Sequence, residues 1–332
     1  MSIRFDETDC RIVQALFENS RITNADLAKQ IHMSESQCSR RLHRIEQAGI
    51  ITGYTSIVDY ETLDLHAYAF VEITLDHSRT TREATESAVC TRPDVVRGYR
   101  TGGDSDYVVS ILTPDLSAFQ QAIDDFNGMD GVAVSRSLLV LDPFKQVTKI
   151  RFPFANLISP SFEQALNADT GRSAAGSPAR QFRPTAGTRP SLPALRGNLA
   201  HSKLDQIDLE IIRHLADNSR LSLVELGEKV GLSAAPCGRR VHTLERDGVV
   251  RHYTAKVSFD TIGLTTMVFI RIRFSLTNER NRRAFERALR DAPQVLEAHR
   301  THGESDYLIM VVVEDLAACD RFLSEVVLTA AG

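Results

Sequence analysis

The chain has 332 residues, 42% hydrophobic and 25% charged, with a formal net charge of −4, an ordinary globular composition long enough for two or more domains with real cores. No apolar run approaches the roughly 20 residues of a membrane span, and the early acids of the N-terminus leave no apolar core for an export signal, so a cytoplasmic protein without a membrane partner is expected. The mild negative charge argues against a non-specific polyanion binder but leaves room for a local basic surface. Cys10, Cys38, Cys90, Cys237 and Cys319 are odd in number, scattered and free of C-x-x-C spacing. They read as reduced thiols, with neither a disulfide framework nor a zinc site, and no cofactor is called for.

In chain order, Ile12, Val13, Leu16 and Phe17 recur at helical spacing and predict a first helix ending near Asn19. Thr23 is placed to cap a second helix carrying Leu27, Ala28 and Ile31, and Ser34 a third that runs to about Ala48, where Gly49 suits a left-handed stop. Ile50–Val58 then reads as a short hairpin wing. Three helices and a wing over residues 1–60 form a winged helix-turn-helix, whose last helix enters the major groove. At 100° per residue, Cys38, Leu42 and Ile45 share the inner face of that helix. Ser36, Arg40, His43, Arg44 and Gln47 face outward with Gln37 at the edge, a set of donors suited to guanine edges and phosphates. A solvated amphipathic helix shows the same wheel. The repeated context and the paired arginines described below favour DNA reading. Arg41 lies on the flank, where an ion pair with Glu46 or another acid and a phosphate contact are both open.

Residues 65–150 change pattern. Strands are expected at Ala69–Leu75, Val95–Thr101, Asp106–Leu112 and Val132–Leu141, with helices at Arg79–Cys90 and Leu116–Phe126. The order βαββαβ is ferredoxin-like, an antiparallel sheet with helices on one face. The other face then needs a partner, which argues for self-association. The turn Gly102-Gly103-Asp104-Ser105-Asp106 permits positive φ and leaves backbone N–H groups for a carboxylate, while its acids suit an ammonium group. A free amino acid fits both. Taken alone, such a turn is most simply a turn, and with no third ligand nearby in sequence it makes neither a hydrolase nor a metal site.

Residues 153–204 are rich in Gly, Pro, Ser, Ala and Arg and read as a flexible linker. Its arginines give it a charge that could touch DNA, though a solubilising tether is the simpler reading. Beyond it the pattern returns. A shift of 199 lays Asp9–Val58 on Asp208–Val257 without a gap and with seventeen identities in 50 pairs. These include Asn19-Ser20-Arg21 with Asn218-Ser219-Arg220, and Arg40-Arg41 with Arg239-Arg240. One more residue of slip matches Thr101–Tyr107 to Thr301–Tyr307. The chain is a tandem duplication of one α+β unit, with a second winged helix-turn-helix at 205–259 and a second ferredoxin-like domain at 264–332. In the second reading helix Cys237, Val241 and Leu244 face inward, and Ala235, Arg239, His242, Thr243 and Arg246 outward. Arg240 repeats the flank position of Arg41. The second copy reaches Gly332 before a counterpart of Val132–Leu141, so its sheet is expected without a last strand, or the chain has been cut short. About 50 flexible residues span roughly 40 Å r.m.s., enough for both reading helices to reach half-sites about 34–36 Å apart. Gln37 against Pro236 and Arg44 against Thr243 imply that the half-sites differ.

The runs SESQCSRRLHRIEQAG (34–49) and SAAPCGRRVHTLERDG (233–248), with the Thr301-x-Gly303-x-x-Asp306-Tyr307 turn, resemble the Lrp/AsnC (feast/famine) family of transcription regulators, in tandem-duplicated form. The resemblance covers nearly everything outside residues 153–204. It implies a regulator that is not an enzyme, with an amino-acid effector bound between the ferredoxin-like (RAM) domains near the glycine-aspartate turn, and dimers that build larger assemblies. Carried onto this chain, the effector residues are Thr101, Gly103, Asp104 and Asp106, then Thr301, Gly303, Glu304 and Asp306. The DNA-binding set is Ser36, Gln37, Arg40, Arg41, His43 and Arg44 in the first copy. In the second it is Arg239, Arg240, His242, Thr243 and Arg246. Sirohaem decarboxylases resemble the same two-unit plan but carry an Arg-Arg-Phe-Gly stretch and a Trp-containing strand. This chain has Thr52-Gly53-Tyr54-Thr55 and Arg251-His252-Tyr253-Thr254 at those places and no Trp. An assembly module without DNA contact is the third reading.

Overall fold

In the computed structural model, residues 5–76, 80, 82–146, 180–181, 204–274 and 279–329 are described. The first copy runs α1 (Glu7–Glu18), α2 (Asn24–Gln30), α3 (Glu35–Gln47), β1 (Ile51–Val58), β2 (Ala67–Leu75), α4 (Arg82–Thr91), β3 (Val95–Arg100), β4 (Tyr107–Thr113), α5 (Leu116–Asn127) and β5 (Val132–Gln146). A two-residue β6 (Arg180–Gln181) precedes the second copy. That copy has α6 (Gln206–Asp217), α7 (Leu223–Val230), α8 (Ala234–Arg246), β7 (Val250–Val257), β8 (Thr266–Ile272), α9 (Glu279–Asp291), β9 (Val295–His302), β10 (Tyr307–Val313) and α10 (Leu316–Phe322). Two compact units result, and each draws on both copies: the described residues of 5–59 with 204–265, and those of 60–146, 180–181 and 266–329.

The helical unit forms where side-chain chemistry starts and stops each turn. Asp6 caps α1 in a reciprocal box with Asp9, Thr23 caps α2, and Ser34 caps α3 in a box with Gln37. Gly49 and Gly248 stop the third helix of each copy at φ 69° and 76°. Ile12, Val13, Leu16, Leu27, Cys38, Leu42 and Ile45 are buried together with their second-copy counterparts Ile211, Ile212, Leu215, Leu226, Cys237, Val241 and Leu244.

The expected hairpin wing is not formed. Ile51–Val58 is one continuous strand, and it pairs antiparallel with β7 of the other copy, Tyr54 opposite Ala255 and Thr55 opposite Thr254. Gly53 stays within the strand, and its φ is not among the positive values. A two-residue hairpin needs the left-handed region there. The exposed strand edge is satisfied by its own repeat instead.

The second unit is an eight-stranded sheet of order β6-β3-β4-β2-β5-β9-β10-β8. Within it, β3-β4-β2-β5 is the ferredoxin-like order, and β9-β10-β8 repeats it without the fourth strand. β5 pairs with β2 on one edge and with β9 of the second copy on the other, so one strand serves both sheets. It runs on to Gln146, past the expected end at Leu141. Beyond the last pairing with β2, at Leu139, β9 is the one strand among the described residues that pairs with it, which makes room for Pro143. Among the described residues no strand pairs with the outer edge of β8. Ala69, Val71, Ile73, Val109 and Ile111 pack under α4 and α5, while Phe70, Val108 and Leu138 turn to the opposite face and meet Leu308 and Phe269 of the second copy. That face, left open by one domain's helices, is covered by the other domain.

The 153–204 linker lies outside the described residues except for Leu204 and for Arg180–Gln181, which pair with Arg100 and Tyr99 of β3. Helix α4 is described from Arg82. The expected start at Arg79 also lies outside the described residues.

Candidate DNA-reading helices and effector turns

On α3, Ser36, Gln37, Arg40, His43 and Gln47 are exposed, and on α8 Ala235, Arg239, His242, Thr243 and Arg246 are exposed. The wheel places them, with Gln37 at the edge, on the face opposite the buried Cys38 and Cys237, whose thiols burial pushes up. Arg40 donates by Nε to the Ser36 carbonyl of its own helix at 3.4 Å.

The flanking arginines behave differently. Arg41 donates to Asp6 at 2.8 Å and to Asp9 at 2.8 Å, and Arg44 also reaches Asp9. Arg240 repeats this with Asp205 at 2.7 Å and Asp208 at 2.8 Å. Of the two partners left open in the sequence, the acid is one at the start of the first helix rather than Glu46, which instead accepts from the Tyr54 hydroxyl. Burial alone would push the Asp6 carboxyl up, but the Asp9 backbone N–H and the Arg41 guanidinium hold it below the usual range. These guanidinium groups lock the third helix of each copy to α1 or α6, so any phosphate contact they make competes with that lock.

A second set of residues went unassigned in the sequence, although their identity in both copies was visible. Arg21 donates to the Ser219 carbonyl at 2.9 Å and lies 4.5 Å over the Tyr253 ring, and Arg220 donates to the Ser20 carbonyl at 2.8 Å and lies 4.5 Å over Tyr54. Asn19-Ser20-Arg21 and its repeat join the two helix-turn-helix copies about a local twofold axis.

At the turns, Gly103 and Gly303 adopt φ 116° and 130°, a region that favours glycine. Thr101 and Thr301 each close their turn by donating to the carbonyl of Ser105 or Ser305 at 2.7 Å. The Asp106 carboxylate accepts from the Leu75 backbone N–H at 2.8 Å and from Arg82 at 3.4 Å, and Asp306 accepts from Phe274 N–H at 2.8 Å. Both aspartates therefore pin the turn to the end of the neighbouring strand. The outer acids remain exposed and meet arginines missed in the sequence: Asp104 lies 3.6 Å from Arg271 of β8, and Glu304 lies 2.7 Å from Arg136 of β5. Glu72 stands between them, 3.0 Å from Arg271 and 3.8 Å from Arg136, and burial pushes its carboxyl up despite both arginines. Turns from both copies thus reach a common cluster of three acids and two arginines. Among the described residues no group of His, Cys, Asp and Glu has the arrangement of a metal site, and no helix is long and apolar enough to cross a membrane.

Comparison with known proteins identifies the same parts. The Lrp/AsnC ligand binding domain matches residues 68–150 and 267–332, an AsnC-type helix-turn-helix domain matches 5–46, and a winged helix-turn-helix DNA-binding domain matches 204–251. A leucine-responsive regulatory protein from Rhizobium meliloti is 40% identical over 123 residues, 37% of this chain and 79% of that protein. A Bkd operon transcriptional regulator from Pseudomonas aeruginosa is 39% identical over 123 residues, 37% of this chain and 80% of that protein. A siroheme decarboxylase crystal structure covers 98% of this chain and 88% of its own at a TM-score of 0.54, but at 11% identity that likeness is one of fold alone.

Proposed function

Because the chain belongs to the Lrp/AsnC family of transcription regulators, we propose that it reads DNA with α3 and α8 as an unlike pair and answers to a free amino acid held at the glycine-aspartate turns. The observation that carries this reading is the pairing of two helix-turn-helix copies about a local twofold axis, with the reading face of each third helix exposed. Direct contacts come from Ser36, Gln37, Arg40 and His43 in the first copy and from Arg239, His242, Thr243 and Arg246 in the second. Arg41, Arg44 and Arg240 position those helices. The two faces differ in residue type, so the half-sites differ.

For the effector, Thr101, Gly103, Asp104 and Asp106, with Thr301, Gly303, Glu304 and Asp306, frame the turns. Asp104 and Glu304 suit an α-ammonium group, and Arg136 and Arg271 suit an α-carboxylate. The leucine-responsive relative supports an amino acid over other small zwitterions. The ferredoxin-like domains also carry self-association into larger assemblies, and a role on DNA places the protein in the cytoplasm. The chain acts without catalysis: the stretches around Tyr54 and Tyr253 serve strand pairing and the arginine–ring contacts.

A gel-shift assay on the DNA upstream of its own gene, at stated salt and with a panel of amino acids, tests the reading. A sequence-specific shift altered by one or a few amino acids is expected. The absence of a specific shift under every condition contradicts the regulator reading.

A further inference from the structure

The two copies meet in the sheet unit through charged residues at equivalent positions, and their charges are inverted. Strand registers fix the equivalence. Ala67 opposes Thr113 in the first copy as Thr266 opposes Val313 in the second, which places Glu72 of β2 and Arg271 of β8 at the same point of the repeat. Likewise Arg97 opposes Ser110 as Glu297 opposes Met310, so Arg97 of β3 and Glu297 of β9 are counterparts. Each counterpart pair is in contact. Arg271 lies 3.0 Å from Glu72, and Arg97 is hydrogen-bonded to Glu297.

Residues that touch their own counterparts lie close to a local twofold axis. If two first copies paired there, Arg97 would meet Arg97 and Glu72 would meet Glu72. Two second copies would set Glu297 against Glu297 and Arg271 against Arg271. Like charges so placed, with the carboxylates of Glu72 and Glu297 largely shielded from water at 8% and 14% exposure, cost several-fold to many-fold in pairing. Only the unlike combination satisfies both. The packing between the pairs is also unlike: His299 sits against Tyr68 and Phe70, while its counterpart Tyr99 sits against Phe269. The helix-turn-helix interface has no such filter, because Ser20 with Ser219 and Arg21 with Arg220 are the same residues on both sides.

We propose that the inverted ion pairs Arg97–Glu297 and Glu72–Arg271 make the sheet interface accept a first copy only with a second copy, so that a chain does not exchange like halves with its neighbours. The partner this surface fits is the other half of the same sequence, and the recognising chemistry is charge complementarity across the axis.

Charge reversal on the full chain tests it. One variant carries Glu297→Arg and Arg271→Glu, and a second carries Arg97→Glu and Glu72→Arg. Each alone confronts like charges at both contacts in every pairing and should melt roughly 5–10 °C below the parent. Co-expressed, they complement each other copy by copy and should give a 1:1 heterodimer whose melting temperature returns to within a few degrees of the parent. As a control on folding, Arg97→Glu combined with Glu297→Arg in one chain should melt close to the parent, while either substitution alone should not. The proposal is overturned if the single-chain variants melt with the parent, if co-expression gives neither a heterodimer nor a gain in melting temperature, or if the in-chain reversal melts no higher than its singles.

Discussion

The hydroxyl groups of Ser20 and Ser219, 199 residues apart in sequence, are hydrogen-bonded at 2.8 Å, and both side chains are fully buried. Around this contact each serine N–H donates to the carbonyl of the opposite copy's strand tyrosine, Tyr253 or Tyr54, and each following arginine clasps the opposite copy. The duplication thus builds one helix-turn-helix body from two halves.

The clasp has a measurable worth. Arg21→Ala removes two carbonyl hydrogen bonds and a cation–ring contact from a largely buried site and should cost about 2–3 kcal/mol. Arg220→Ala should cost about the same, since its contacts mirror those of Arg21. Lysine keeps the charge but lacks the planar fork, so Arg21→Lys should recover little. Urea denaturation of the full chain checks all three. A loss below about 0.5 kcal/mol for both alanine variants would show the contacts to be incidental.

Arginines of the reading helices should separate into two behaviours. Arg40→Ala and Arg239→Ala should each weaken DNA binding by about 1–3 kcal/mol and leave the melting temperature in place. Arg41→Ala strips a partner from the fully buried Asp9, which keeps Arg44, and should cost about 2–3 kcal/mol of stability. Fluorescence anisotropy at fixed salt beside thermal melts distinguishes them. Equal losses of stability from Arg40→Ala and Arg41→Ala would erase the distinction.

The turn residues also divide. Asp104 is 80% exposed, so Asp104→Ala should raise the effector concentration needed for a response at least tenfold with little change in melting temperature. Asp106→Ala deprives the Leu75 N–H of its acceptor and should cost about 1–2 kcal/mol. Calorimetric titration with the active amino acid, paired with melts, reads both. An unchanged effector response in Asp104→Ala would remove it from the site.

Acid should expose the Arg97–Glu297 pair. Burial works against the Glu297 carboxylate, but Arg97 and His299 hold its pKa down to about 2. A carboxyl depressed on folding stabilises the protein above its unfolded-state value near 4.5, and that contribution is lost as pH falls from about 4.5 towards 2. Stability should therefore fall more steeply over this range in the parent than in Glu297→Gln, whose curve should meet it at the acid end. Parallel curves would contradict the assignment.

Local elements were legible because their causes are local. The 3.6-residue periodicity, the caps at Thr23 and Ser34 and the left-handed glycines at 49 and 248 fix the helices within a residue or two, and the exposed face of α3 follows from its wheel. The change of pattern after residue 65 and the order βαββαβ pointed to the sheet domains. Cross-copy contacts were not legible. Nothing near Ile51–Val58 announces a partner strand two hundred residues away, so Ile50–Val58 reads as a hairpin wing. Arg41 meets Asp9 across 32 residues and Arg271 meets Glu72 across 199, and spacing does not record such meetings. Local rules also bend where packing insists: His32 holds φ 59° at the point where the second copy has Gly231 at 71°.

Quantitative footprinting of the upstream DNA, with the parent and with a chain in which Glu35–Gln47 and Ala234–Arg246 are exchanged, tests the asymmetric two-helix reading most directly. One chain should protect two unlike half-sites, and the exchange should reverse the polarity of protection. A symmetric footprint unchanged by the exchange would contradict it.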